Sequence, residues 1–224
     1  MTNIQTAPVA SAEYVVDASD MVNATTLIST IANSDISDAE RAGLIQMREE
    51  EKLARDVYTT LWNLWNTQIF GNIAQSEQTH TDAIKTLLDR YTIADPVSND
   101  TVGIFTSPVM QKLYTDLITQ GSVSLLDALK VGATVEDLDI KDLEELIKIT
   151  DNQDIITVYD NLNKWSRNHL RAYISNISRN GWTYTPQYIS QSAYDSIISS
   201  EQERGNANSG WNGMWNWMGA GRNR

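Results

Sequence analysis

The sequence predicts an all-α protein: a bundle of four long helices with short accessory helices and an extended arm at each end. Two observations carry that prediction. Apolar residues recur at three- and four-residue steps through most of residues 38–180, and no strand-like alternation interrupts them. The periodic stretches are also separated by turn chemistry, with Asp95-Pro96 to Pro108 as the clearest break. At 224 residues the chain is long enough to bury one full core without covalent staples.

Residues 1–37 are rich in Ala, Ser, Thr, Asn and Val without helical periodicity, and read as an extended arm. Asp35 or Ser37 then offers an N-cap, with Glu40 in the first turn. The first long helix runs to about Trp65, and its inward face is Leu44, Met47, Glu51, Ala54, Tyr58, Leu61 and Trp65. A second, from about Phe70 to Tyr91, turns Ile73, Glu77, His80, Ile84 and Leu87 to one side. Met110 to Thr119 is a short accessory helix ending at Gly121.

The third long helix starts near Ser122 or Ser124, with Leu125, Leu129, Gly132, Ala133, Glu136 and Ile140 on one face. A kink or restart is expected at Asp139, because Asp139-Ile140-Lys141-Asp142 resembles a cap. The fourth, about Asn152 to Arg179, presents Ile155, Tyr159, Leu162, Ser166, His169, Tyr173 and Ile177, and Asn180-Gly181 closes it. A further short element beyond Pro186 ends near Ser199. The domain limits are therefore 1–37 for the arm, 38–200 for the helical domain and 201–224 for a Gly/Asn/Trp-rich tail.

Composition excludes several classes of function. There is no cysteine, so disulfides, thiolate nucleophiles and sulfur-ligated zinc or iron–sulfur sites are ruled out. Any metal must be held by carboxylates and the two imidazoles, His80 and His169. A net charge of −12 argues against nucleic acid or an anionic membrane, which need a basic face. No run of about 18 apolar residues forms a membrane span. Residues 1–5 lack the features of a secretory signal, so the expected location is cytoplasmic, or exported if the chain is a processed product.

Charged residues occupying core positions are the informative feature. Glu51, Glu77, His80, Glu136 and His169 each sit inside an apolar stripe. Burying an isolated carboxylate is costly unless it is neutralised, and three converging carboxylates also repel one another. A cation relieves both problems, with histidine nitrogen completing its shell. Glu77 and His80 lie three residues apart and can reach one ion from one helix face. A single Glu-x-x-His is common by chance; the joint pattern over four helices is far less easily accidental. Glu49 and Glu50 read as solvated neighbours of Glu51, and Gly132-Ala133 as small residues admitting a close helix neighbour.

Glu51-x-x-Ala54-Arg55-x-x-Tyr58 resembles the first di-iron helix of rubrerythrin-like proteins in the ferritin-like superfamily. Ile73-Ala74 before Glu77-x-x-His80 is similar to that family's second helix, Gly132-Ala133 with Glu136-x-x-Asp139 to its third, and Val158-Tyr159 through His169 to its fourth. Ser166 to Tyr173 further resembles the branch catalogued as a ferritin-like domain of unknown function. The resemblance covers about residues 38–180 and implies a ferritin-like four-helix bundle. It also implies a metal site with oxidoreductase chemistry of the ferroxidase or peroxide-scavenging kind. Glu51, Glu77 and His80 would hold one ion and Glu136 and His169 the second, with Glu77 bridging. The implied cofactor is iron, as two ions or one, with manganese and zinc as alternatives.

One position departs from the pattern. The family carries Glu three residues before the fourth-helix histidine, where this chain has Ser166; Asp139 or a water would substitute. Tyr58 and Tyr173 are placed to hydrogen-bond a ligand, or serve as plain core aromatics. Without cysteine there is no rubredoxin-like module, so electrons would come from an external donor or the iron itself. A competing expectation is a structural, self-assembling protein on the same scaffold. In that reading the arms, with Trp211, Trp215 and Trp217 as anchors, make contacts in a homo-oligomer or an extended assembly.

Overall fold

A computed structural model describes residues 25, 26, 28–32 and 34–204. Most of the predicted arm, and all of 205–224 with its three tryptophans, lie outside the described residues. Among the described residues six helices succeed one another and there is no strand: α1 (Asp38–Trp65), α2 (Gln68–Arg90), α3 (Pro108–Gly121), α4 (Leu125–Ile149), α5 (Gln153–Arg179) and α6 (Gln191–Ser199). None of them is long and apolar enough to cross a membrane.

The helix starts follow the sequence closely. Ser37 and Glu40 form a capping box, each side chain bonding the other's backbone N–H. Glu40 also accepts from Thr150 Oγ1 at 2.5 Å and Asn152 Nδ2 at 3.0 Å, tying the start of α1 to the α4–α5 turn. Ser107, Ser124 and Ser190 cap α3, α4 and α6. At the end of α5, Gly181 takes the left-handed conformation at φ +75° that the Asn180-Gly181 pair predicts.

Two expectations give way. Helix α4 runs unbroken through Asp139, whose carboxylate accepts the Ser166 hydroxyl instead of capping a new helix. With its side chain occupied, nothing there competes with the helix backbone. The described part of the N-terminal arm is not extended throughout: residues 25, 26 and 28 are helical, and Ile28 is buried. As expected of the small Gly132-Ala133 pair, Gly132 leaves room for a neighbouring helix: the Tyr173 ring of α5 lies 2.3 Å from where a Cβ would stand.

Short links of two and three residues join α1 to α2 and α4 to α5, making each pair antiparallel. Contacts fix how the pairs meet. Tyr58 of α1 reaches Gly132 and Glu136 of α4, while Gly43 faces Leu146. Ser76 of α2 meets His169 of α5, and Tyr91 meets Asp154. Both are antiparallel neighbours, so α2 and α4 run the same way and the chain must cross over between them. Residues 91–124, including α3, make that crossover. Charges buried on α1 pin it: Lys52 Nζ donates to the Thr101 and Ile104 carbonyls, and Arg48 and Arg55 hold Asp95 and Asp100.

The apolar interior falls into two bodies. One gathers Val57, Tyr58, Leu61, Phe70, Ile73, Val131, Tyr173 and Ile177. The other gathers Leu44, Met47, Ile84, Leu87, Leu143, Val158 and Leu162. On α1, α2 and α5 the residues between these two sets are Glu51, Glu77 with His80, and Ser166 with His169. A polar layer therefore crosses the middle of the core.

Candidate metal centre

Helical spacing delivers one acid or imidazole to this layer at a time. Glu51 comes from α1, Glu77 and His80 from one face of α2, Glu136 from α4 and His169 from α5. All five are at most 2 % exposed. Their ligand atoms form two groups, Glu51–Glu77–His80 and Glu77–Glu136–His169, each within a 4.8 Å span. Glu77 belongs to both. Its Oε2 lies 2.7 Å from His80 Nδ1 and its Oε1 2.9 Å from His169 Nδ1. Each imidazole faces a second carboxylate through the same nitrogen, Glu51 at 3.2 Å and Glu136 at 3.4 Å. The two rings stack, with centroids 5.6 Å apart and planes 18° from parallel.

The surrounding groups fix these side chains. Tyr58 donates its hydroxyl to Glu136 Oε1 at 2.6 Å, as its place on α1 anticipates. Tyr173 packs on Tyr58 and Phe70. Ser76 Oγ stands 3.1 Å from His169 Nε2 and 3.4 Å from His80 Nε2, between the far sides of both rings. Asp139 is half-buried beside the layer; it belongs to neither three-residue group and is held by Ser166.

Electrostatically the layer is strained. Burial pushes the Glu51 carboxyl up to about 8, against the pull of His80. Burial, with Glu77 nearby, raises Glu136 against the pull of His169 and Tyr58, and burial with Glu51 and Glu136 raises Asp139 well above the usual carboxylate range. Glu77 goes the other way: burial would raise it, but the two histidines hold it low. Burial would lower both imidazoles, yet Glu77 and Glu51 lift His80 strongly, and Glu136 and Glu77 lift His169 to about 9. Protons thus do here what a cation does elsewhere, neutralising acids that cannot all be charged together.

These residues fit a metal. The donors are carboxylate oxygen and imidazole nitrogen without sulfur, which suits iron, manganese or zinc. Glu51 Oε1 is buried and receives no hydrogen bond, leaving one carboxylate lone-pair set unused inside the protein.

Five of the six sequence-predicted ligands converge, and Asp139 stands alongside. Glu50 departs from expectation: it is half-buried rather than solvated, and burial with Asp142 nearby pushes its carboxyl up to about 8. Ser76 was not anticipated. Its signal in the sequence is faint, a serine four residues before His80 on the inward stripe of α2.

The family model described as "Uncharacterized protein domain (DUF2202)" matches residues 40–201. The Uncharacterized protein MJ0754 of Methanocaldococcus jannaschii is 58% identical over 178 residues, covering 80% of this chain and 96% of that protein. The crystal structure titled hypothetical protein MJ0754, from the organism given there as Methanococcus jannaschii, superposes with a TM-score of 0.76 at 58% identity. That match covers 77% of this chain and 99% of the solved one.

Proposed function

For a chain that belongs to the DUF2202 family, we propose a ferritin-like four-helix bundle that holds a dinuclear metal centre, with iron as its occupant. The carrying observation is Glu77, one carboxylate whose two oxygens face two histidines, each with a further glutamate of its own. The crossover that makes α2 and α4 parallel supports the ferritin-like reading of the bundle.

In this reading Glu51, Glu77 and His80 hold one ion, and Glu77, Glu136 and His169 the other. Asp139, presented by Ser166, supplies a further carboxylate to the α4–α5 side. Iron at such a site would supply one-electron chemistry with O2 or peroxide, of the ferroxidase or peroxide-scavenging kind. The chain's own part is to bind, orient and exclude water. Tyr58 fixes the rotamer of Glu136, and the two apolar bodies seal the layer on both sides. The protons held on Glu51, Asp139 and the imidazoles leave as the ions enter.

Metal counting tests this reading. The purified protein, loaded anaerobically with Fe(II) and then desalted, is expected to retain two ions per chain. Glu77→Ala should retain none, because it removes a ligand of both ions, whereas Glu51→Ala should keep one. Wild-type protein that emerges without metal after Fe(II) loading sinks the proposal.

A further inference from the structure

A single hydroxyl serves both histidines. Ser76 Oγ is 3.1 Å from His169 Nε2 and 3.4 Å from His80 Nε2, and Ser76 is 3 % exposed. The rings belong to different helices, α2 and α5, yet they stack with both Nδ1 atoms toward the carboxylates and both Nε2 atoms toward this one oxygen. A histidine that ligates through one nitrogen is normally oriented by a separate partner on the other. Here the partner is common to both.

The donor arithmetic follows. A hydroxyl has two acceptor lone pairs and one proton. An ion at Nδ1 leaves the ring proton on Nε2, so two loaded histidines present two N–H groups to the same oxygen. Ser76 accepts both only if its own proton turns away from both rings. The carbonyl one turn earlier in the helix is the ordinary acceptor for it. So arranged, one oxygen orients both rings at once.

We propose that Ser76 is a positioning residue shared by the two halves of the centre, orienting both histidines for ligation at once. This rests on the dinuclear reading of the site, but the hydroxyl bridge itself is testable without metal.

In the metal-free full-length protein, two-bond 1H–15N spectra report the ring nitrogens of His80 and His169, the only histidines in the chain. Ser76→Ala is expected to shift the Nε2 resonance of both rings, and Ser76→Thr to return both toward wild type. Movement of one ring alone, or of neither, overturns the bridge. In Co(II) titrations followed by visible absorption, wild type should bind two ions per chain. Ser76→Ala should bind both ions about tenfold to a hundredfold more weakly. Unchanged Co(II) binding in Ser76→Ala, with both rings shifted, overturns the positioning role and leaves the dinuclear reading intact. Wild type that binds no Co(II) while both rings respond defeats the dinuclear reading and the positioning role together, and leaves only the bridge.

Discussion

Two kinds of buried acid occupy this molecule, and they are treated in opposite ways. Asp56 on α1 is completely buried, and both its oxygens are taken: Lys52 Nζ at 2.5 Å and the Gly103 N–H at 2.9 Å on one, the Arg55 guanidinium on the other. Asp137 on α4 is equally buried and accepts the Tyr184 hydroxyl and the backbone N–H groups of Gln187, Tyr188 and Ile189. Those acids hold the crossover and the segment before α6 in place. One step along the same helices, Glu51 and Glu136 are just as deep, but face other carboxylates and two imidazoles. An acid whose lone pairs the protein itself fills is architecture. An acid left facing its own kind fits the ligand role proposed for Glu51 and Glu136.

The largest expected effect tests the architectural half. Asp56→Ala strands Lys52 and Arg55 without their common partner and frees Gly103, so it should destabilise by about 3–5 kcal/mol. Urea denaturation of the metal-free protein measures this, and any protein that folds should still bind metal. A loss under about 1 kcal/mol would erase the distinction drawn between the two kinds of acid.

A somewhat smaller effect tests the other half. Metal at about ten times its dissociation constant should stabilise the fold by about 1.4 kcal/mol per site. The gain must depend on pH. Glu51, Asp139 and both imidazoles are held protonated above their ordinary ranges, and a cation has to displace those protons. Affinity should therefore fall as the pH is lowered from 8 to 6, with protons released on binding. Calorimetry in buffers of different ionisation enthalpy measures the count. Uptake that releases no protons would mean that the acids were never strained.

The contrast between these acids was only half legible in the sequence. Glu51, Glu77, His80, Glu136 and His169 stand out because hydropathy periodicity makes a charge on an apolar stripe conspicuous. The partners of Asp56 and Asp137 come from loops about 50 residues away, such as Gly103 and 187–189, and helical period carries no information about them. Glu50 was misread because its neighbour on the stripe is Glu51, whereas α4 folds over that flank and brings Asp142 near. Ser76 left little trace because a serine inside a helix is neutral to hydropathy, and its meaning depends on a ring of another helix. The helix count was readable; the direction of α4, set by the crossover, was not.

Glu51→Gln gives the smallest change and the sharpest division between the two classes. In the metal-free protein Glu51 is protonated near neutral pH, because burial lifts its carboxyl to about 8, while the unfolded chain releases the proton near its ordinary value of 4.5. Between those values the folded state binds the extra proton, so stability falls as pH rises, and the loss is complete above about 8. Glutamine keeps the shape and removes that slope. Near pH 5 the variant and wild type should differ little; by pH 8 the metal-free variant should be the more stable, by on the order of 1 kcal/mol. With metal present the order must reverse, since the variant has lost an anionic ligand. Removing an architectural acid such as Asp56 has no such crossing, because it weakens the protein whether metal is bound or not. Denaturation curves at the two pH values, with and without Co(II), decide it: if Glu51→Gln is the weaker protein in all four, Glu51 belongs with Asp56, and the layer is scaffold.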